Sequence, residues 1–254
     1  MDLTIFQISA LCLVGFIAGG INTLAGGGSN LSLPMLMIMG LPADVANATN
    51  RVAVLMQCLV GVAGFDQKQM LDRPAVRPIL APTLAGGAAG ALGAALLPNL
   101  YLKPLLLLTL LGMSLLILLR PGIIAPPANT PTLSPNEERR AWWGLFAAGL
   151  YGGFVQAGVG FILLAALAGG LRYDLVRANA LKMVCTLAFT LVLVAIFLIF
   201  DLIEWIPGLI LAGGNMAGAY LMVKIAVRSS QNTLKWALFT MTLIAVGAGF
   251  TLGE

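Results

Sequence analysis

Two cations lie inside otherwise uncharged segments of this 254-residue chain, where they could attract an anion. Arg51 and Lys182 follow the expected helix starts at Asp44 and Asp174 by seven and eight residues, which places each about 10–12 Å along its helix. A cation at such depth in an apolar segment costs about 2.5–3.5 kcal/mol and usually faces a cavity. The alternative is that both side chains extend back to a polar surface. We favour an anion-binding role.

Glycine runs offer a second kind of anion site, built from backbone amides. The 41 residues 3–43 carry no charge and contain three consecutive glycines near the middle. As one helix they would be about 60 Å long, about twice the thickness of a bilayer's hydrocarbon core. We expect the helix to break there and to restart after Gly28, and in the second half after Gly160. Restarting helices present N–H groups that bind anions, although close helix packing explains the glycines at 157–160 equally well.

Neutral polar side chains near the cations complete the predicted site. Three asparagines and a threonine lie within about a helical turn of the two cations, where they can donate hydrogen bonds to an anion or serve as caps and interhelical bonds. The predicted substrate-binding residues are Gly26, Gly27, Gly28, Ser29, Asn30, Asn47, Thr49, Asn50, Arg51, Gly158, Gly160, Asn179 and Lys182.

The sequence favours neither catalysis nor a cofactor. Histidine is absent, which removes the usual metal ligand and the base of a serine–histidine pair. The acidic residues lie at the edges of apolar segments, and the three cysteines lack metal-ligand spacing. We therefore expect no catalytic residue, no metal and no cofactor. A serine–lysine pair leaves an intramembrane enzyme open as a less favoured alternative.

The composition is that of an integral membrane protein. Hydrophobic residues make up 59% of the chain and charged residues 9%, and the mean hydropathy is +0.97, well above that of soluble domains. We predict an all-α polytopic fold with about eight main segments, whose expected partners are the lipid bilayer and a small anionic substrate, without nucleic acid. Besides 3–43, the apolar segments are 52–65, 78–102, 104–119, 141–171, 183–200, 205–223 and 236–253.

The chain contains two related halves. A shift of 132 residues superposes Gly26 on Gly158 and the sequence ANA at 46–48 on the same sequence at 178–180. Further along, a shift of 128 superposes one GxxxG pair, at residues 86 and 90, on a second at residues 214 and 218. An ordered series of matches of this kind indicates an internal repeat.

The repeat divides the chain into three parts. We predict a first transmembrane repeat over 1–119, a proline-rich linker over 120–140 and a second transmembrane repeat over 141–254. The linker composition favours extended, hydrated chain. It ends in the sequence SPNE, in which Ser134 is predicted to cap the first helix of the second repeat.

The positive charges favour opposite orientations for the two halves. If 3–43 and 141–171 each enter the membrane and return to the same side, eleven of the twelve loop cations fall on one side, as expected for the cytoplasm. Eight simple crossings would divide them six and six. We therefore predict two inverted repeats in the cell (inner) membrane, each starting with a glycine-broken or re-entrant helical hairpin, with both termini outside.

Several motifs resemble those of a known family. The first half contains GGINTLAGGG at 19–28 and ATNR at 48–51, and the second contains GLYGGF at 149–154 and ANALK at 178–182. These motifs resemble the two repeat signatures of the TauE/SafE sulfite exporter family of membrane permeases. The resemblance implies export or uptake of sulfur-containing anions such as sulfite, thiosulfate or sulfonates. Family members often have lysine where Arg51 stands, and the second glycine signature is diluted in this chain.

We therefore expect a secondary transporter for a small anion, a sulfur oxyanion or organosulfonate, that works by alternating access to a midplane site. A passive anion channel could use the same glycine breaks but would show flux without saturation or counterflow. On the transporter hypothesis, alanine in place of Arg51 or Lys182 should abolish ligand-induced stabilisation and leave the fold intact.

Overall fold

The regular secondary structure of the described residues is entirely helical. The computed structural model describes residues 3–97, 131–134, 138–156 and 158–230, together with residues 100, 136, 233, 234, 236 and 240. The predicted segment 104–119, nearly all of 236–253 and most of the 120–140 linker lie outside these residues. The helices are α1 (Ile5–Leu24), α2 (Ser29–Ile38), α3 (Ala43–Gln67), α4 (Arg73–Leu96), α5 (Arg139–Phe154), α6 (Val159–Leu164, continued by the π-helix Ala165–Gly170), α7 (Leu175–Ile199) and α8 (Trp205–Arg228).

Short non-helical connections at glycines separate α1 from α2 and α5 from α6. Gly26 lies between α1 and α2 with φ +88°, and Gly158 precedes α6 with φ +74°. Glycine adopts this left-handed conformation readily because it has no Cβ. The second half restarts its helix at Val159, so the predicted restart after Gly160 is wrong by two residues. It is wrong because Gly158, and not Gly160, takes the left-handed turn.

Helix boundaries in the two halves correspond at a spacing of 132 residues. Helices α3 and α7 each have 25 residues, α4 and α8 each have 24, and both pairs start 132 residues apart. The left-handed backbone positions pair at the same spacing: Gly26 with Gly158, Gly40 with Arg172, and Gln69 with Asp201. The two halves therefore share their helix order and their turns.

The halves are interlocked through their first and fourth helices. Helix α1 packs along α8, and α5 packs along α4. A Cβ at Gly86 or Gly90 would strike the backbone of α5, and a Cβ at Gly214 or Gly218 would strike the backbone of α1. The GxxxG pairs therefore allow close helix packing. Their contacts correspond at a shift of 128, four residues less than the helix boundaries, which is about one helical turn.

The central helices are α3 and α7, which contact each other, and each also contacts a fourth helix, α8 or α4 respectively. Four described helices, α1, α3, α7 and α8, are long and apolar enough to cross a membrane. Large apolar side chains point outward, with Phe6 81% and Ile199 82% exposed. Polar and charged side chains are buried inside the bundle, as expected where the surroundings are lipid.

The start of α5 differs from the prediction. The helix begins at Arg139, and the Glu138 side chain accepts the Arg140 N–H as the N-cap at 3.2 Å. Ser134 instead accepts the Asn136 N–H at 3.4 Å, in a turn before the helix. The prediction of a Ser134 cap is wrong because a serine hydroxyl stabilises a local turn through the same kind of bond that it makes at a helix start.

Candidate functional site

The two glycine breaks touch each other at the centre of the bundle. The Gly160 N–H donates to the Gly26 carbonyl at 3.4 Å. A Cβ added to either glycine would overlap the backbone of the other, so no side chain fits at this crossing. Gly27 faces the ring of Phe161, which a Cβ there would meet at 2.9 Å. The absence of side chains thus brings the interrupted backbones of the two halves into direct contact.

Lys182 of α7 holds the C-terminal end of α1, which belongs to the other half. Its ammonium group donates to the carbonyls of Asn22 and Thr23, each at 2.9 Å, and to Oδ1 of Asn179 at 2.6 Å. Asn179 Nδ2 in turn donates to the Leu175 carbonyl at 2.9 Å. The last carbonyls of a helix have no partner within the helix, and they carry the negative end of its dipole. Lys182 satisfies both requirements at once.

Arg51 of α3 makes the corresponding contact with the C-terminal end of α5. Its guanidinium donates from Nη1 to the Gly152 carbonyl at 2.7 Å and from Nη2 to the Gly153 carbonyl at 3.3 Å. Nη2 also donates to Asn47 Oδ1 at 3.0 Å, and Asn47 Nδ2 donates to the Phe154 carbonyl at 3.1 Å. Each cation therefore reaches across to a helix end of the opposite half.

Both cations are fully enclosed by protein. Arg51 is 0% and Lys182 1% exposed, so neither side chain extends to a headgroup surface. Among the described residues, they are the buried charged side chains, and no buried carboxylate accompanies them. The interior of the bundle is therefore electropositive, and the helix ends offset this charge only in part, since each contributes about half an elementary charge.

A narrow cavity lies between the two glycine breaks and the central helices α3 and α7. Its empty space is about 240 Å³, and Lys182, Gly26 and Gly160 are the predicted site residues that line it. Its polar lining comes mainly from side chains outside the predicted set. Those side chains are Asn22, Gln57, Cys58, Gln156 and Thr186.

The start of α2 is tied to α3 by another predicted residue. Asn50 donates from Nδ2 to Ser29 Oγ at 3.2 Å and accepts from the Ser32 hydroxyl at 2.6 Å. The Gly28 N–H donates to Asn22 Oδ1 at 3.0 Å. Asn30 is buried on the same helix, 1% exposed. These residues shape the helix start beside the cavity and do not line it.

Thr49 is engaged away from the cavity. Its hydroxyl oxygen accepts the Glu204 N–H at 3.0 Å, where α8 begins, and its methyl group faces Gly208. A hydroxyl that accepts from the first residues of a helix acts as a cap. The structure thus separates Thr49 from the residues around Lys182.

Sequence reasoning missed the amide residues of the cavity. Asn22 stands within the glycine motif at 19–28, and Gln57 is a polar residue in an apolar segment, which is the available signal for a buried polar role. Gln156 has φ +71°, an uncommon conformation for a residue other than glycine. No local pattern identifies that backbone conformation.

Comparison with known proteins is consistent over the whole described bundle. The family model for "Sulfite exporter TauE/SafE" matches residues 11–249. A probable membrane transporter protein of Haemophilus influenzae is 26% identical over 251 residues, covering 96% of this chain and 94% of its own. The probable membrane transporter protein ORF9 of Sinorhizobium sp is 23% identical, covering 95% and 92%. The probable membrane transporter protein YfcA of Escherichia coli K12 is 23% identical, covering 91% and 87%.

Proposed function

The chain belongs to the TauE/SafE sulfite exporter family, and on that premise we propose that it is a secondary transporter of a small anion, a sulfur oxyanion or an organosulfonate. The family name carries the sulfur chemistry, and the curated relatives are named as probable membrane transporters. The proposed binding site is the cavity between the glycine breaks, beside Lys182.

The observation that carries the proposal is the unbalanced positive charge of the interior. Arg51 and Lys182 are buried without a buried carboxylate among the described residues. Isolated buried charge is strongly unfavourable unless it is paired, and the two helix ends offset about half of each cation. A small anion in the cavity would supply the remaining negative charge. The short length of the cavity wall between Gly26 and Gly160 suits a compact anion.

The proposed mechanism is alternating access between two inverted repeats. Each broken helix packs against the fourth helix of the other half, so each bundle that could move contains elements of both repeats. The glycine breaks meet at Gly26 and Gly160, where backbone packs on backbone. Rocking of one bundle against the other at this contact would open the narrow cavity to one side at a time. In this proposal the protein lies in the inner membrane with both termini outside.

Ligand-induced stabilisation of the purified full chain tests the binding step. We expect sulfite, thiosulfate and methanesulfonate to raise the unfolding temperature in a saturable way, because a ligand that binds only the folded state stabilises it. Acetate serves as a carboxylate comparison, and choline as a cation control. If none of the sulfur anions stabilises the protein at concentrations up to the millimolar range, the anion site is excluded.

Flux in proteoliposomes tests the transport step. A secondary transporter should show saturable uptake of the stabilising anion, and unlabelled anion inside the vesicles should accelerate uptake of labelled anion from outside. A passive channel would carry the anion without saturation or counterflow. That result would replace alternating access by conduction and keep the same binding site.

A further inference from the structure

We propose that two glutamines missed by the sequence, Gln57 and Gln156, recognise the ligand, and that the ligand is a singly charged oxyanion bearing its own N–H or O–H group. The inference rests on the proposed function, since it names the substrate class of the same cavity. It follows from which hydrogen-bonding groups of the cavity wall are already engaged and which remain available.

Lys182 supplies charge without a spare N–H. An ammonium group has three donors, and the structure gives Lys182 three acceptors, the Asn22 and Thr23 carbonyls and Asn179 Oδ1. A ligand could take one of these bonds only by releasing a helix-end carbonyl, which would be left buried without a partner. Direct hydrogen bonds to an anion in the resting cavity must therefore come from other groups.

A chain of hydrogen bonds orients Gln57 as a donor. The Gly28 N–H can only donate, so the Asn22 atom that receives it must be Oδ1. Asn22 Nδ2 then donates to Gln57 Oε1 at 3.3 Å, and Asn215 Nδ2 donates to the same oxygen at 3.3 Å. Both bonds use the oxygen of Gln57, which leaves its Nε2 as the group for the cavity. The glycine turn thus determines the polarity of this side chain.

Gln156 provides the complementary acceptor. It is 2% exposed and lines the cavity with Lys182 and Gln57. Its Oε1 is buried with no hydrogen-bond partner among the described residues, and its backbone has φ +71°. A buried carbonyl oxygen without a donor is unfavourable, because it has lost its bonds to water. A ligand that donates a hydrogen bond would satisfy it.

The three groups together define the ligand. A positive charge without free donors favours a net negative charge, Gln57 Nε2 favours an anionic oxygen, and Gln156 Oε1 favours an N–H or O–H group on the ligand. A fully deprotonated oxyanion leaves Gln156 unsatisfied. A hydrogen oxyanion such as hydrogensulfite, or a sulfonate with an adjacent amino or hydroxyl group, satisfies all three.

Methanesulfonate and sulfamate are matched probes for this proposal. Both are single anions of nearly the same shape with a sulfonate group, but sulfamate carries an amino group where methanesulfonate carries a methyl group. Titration calorimetry of the detergent-purified full chain should give a dissociation constant about tenfold lower for sulfamate, the size expected for one buried hydrogen bond. This comparison uses the unmodified protein, so it does not depend on whether a variant folds.

Three variants assign the preference to residues. Gln156→Leu should bind both anions with equal affinity, because the acceptor is gone. Gln57→Leu should weaken both about equally and keep the preference for sulfamate. Thr190→Val is the matched control: Thr190 Oγ1 is also buried without a partner among the described residues, but Thr190 does not line the cavity. This variant should behave like the unmodified protein.

The outcomes separate this inference from the proposed function. Equal binding of the two anions by the unmodified protein overturns the inference and leaves an anion site in place. A preference for methanesulfonate that is lost in Gln156→Leu would also overturn it, since it would mean that Gln156 presents its amino group. If neither probe binds and sulfite, thiosulfate and acetate also fail to stabilise the protein, the proposed function itself is wrong.

Discussion

The Arg51 end and the Lys182 end of the molecule solve the same structural problem in different ways. In each, a cation from one half satisfies two carbonyls at the end of a broken helix from the other half. Lys182 uses all three of its donors and also borders the cavity. Arg51 does not line that cavity, and its Nε is buried without a partner among the described residues. Two similar caps therefore have different access to a ligand.

The difference follows from a displacement by one residue. At the 132-residue spacing, Arg51 corresponds to Met183 and Lys182 corresponds to Asn50. One residue along a helix is a rotation of about 100°, so the cations leave their helices in different directions. Met183 lines the cavity, whereas Asn50 bonds to the serines of α2. A repeated framework can thus place a structural cation on one side and a ligand-facing cation on the other.

Removing the Arg51 cap should have the largest effect on stability. In Arg51→Leu the carbonyls of Gly152 and Gly153 stay buried without their donor, at about 1–3 kcal/mol for each group. We expect a loss of about 3 kcal/mol in the free energy of unfolding, measured with chemical denaturant in detergent. Arg77→Leu, which changes an exposed arginine of α4, is the control and should change little. An Arg51→Leu protein of unchanged stability would mean that the cap does not hold the break.

This expectation revises the one drawn from sequence. Alanine at either cation was expected to remove binding and leave the fold intact, which treats the side chains as ligand contacts alone. Because both side chains satisfy buried carbonyls, truncation combines a loss of binding with a loss of stability. Exchanging the two cation types is the sharper experiment.

Exchanging the two cations should separate capping from binding. Lys182→Arg keeps the charge and the donors but places a larger group beside a narrow cavity, so we expect at least tenfold weaker anion binding and about 1–2 kcal/mol lower stability from crowding. In Arg51→Lys the three ammonium donors match the Gly152 carbonyl, the Gly153 carbonyl and Asn47 Oδ1, so binding should change less than threefold. Calorimetry and unfolding of each variant give the comparison. Equal losses of binding in both would show that the two ends are equivalent.

Thr49 should give the smallest effect and mark the limit of the site. Thr49→Val removes the acceptor for the Glu204 N–H at the start of α8 but preserves the shape of the side chain. We expect about 1 kcal/mol lower stability, typical of a lost helix cap, with unchanged anion affinity. The measurement is thermal unfolding with and without a saturating anion. A loss of affinity in this variant would return Thr49 to the binding site.

Much of the architecture could be predicted because it depends on local chemistry. Apolar segments, the positions of the glycines and the absence of histidine are properties of the chain itself, and they led to an all-helical membrane protein of the TauE/SafE family. The restart at Val159 instead of after Gly160 shows the limit of this reasoning. Any glycine can adopt a left-handed turn, and neighbouring packing selects which one does.

The sequence by itself determined that two cations, Arg51 and Lys182, would lie in apolar helices interleaved with glycine breaks, because helix period and hydropathy are local properties. Only the tertiary structure decided that each cation caps a helix of the other half and that Gln57 and Gln156 border the cavity. Lys182 and its partner Asn22 are 160 residues apart in the chain, and contacts over that distance depend on how the helices pack. The direction of a buried amide is likewise determined by its neighbours, beginning here with one glycine N–H.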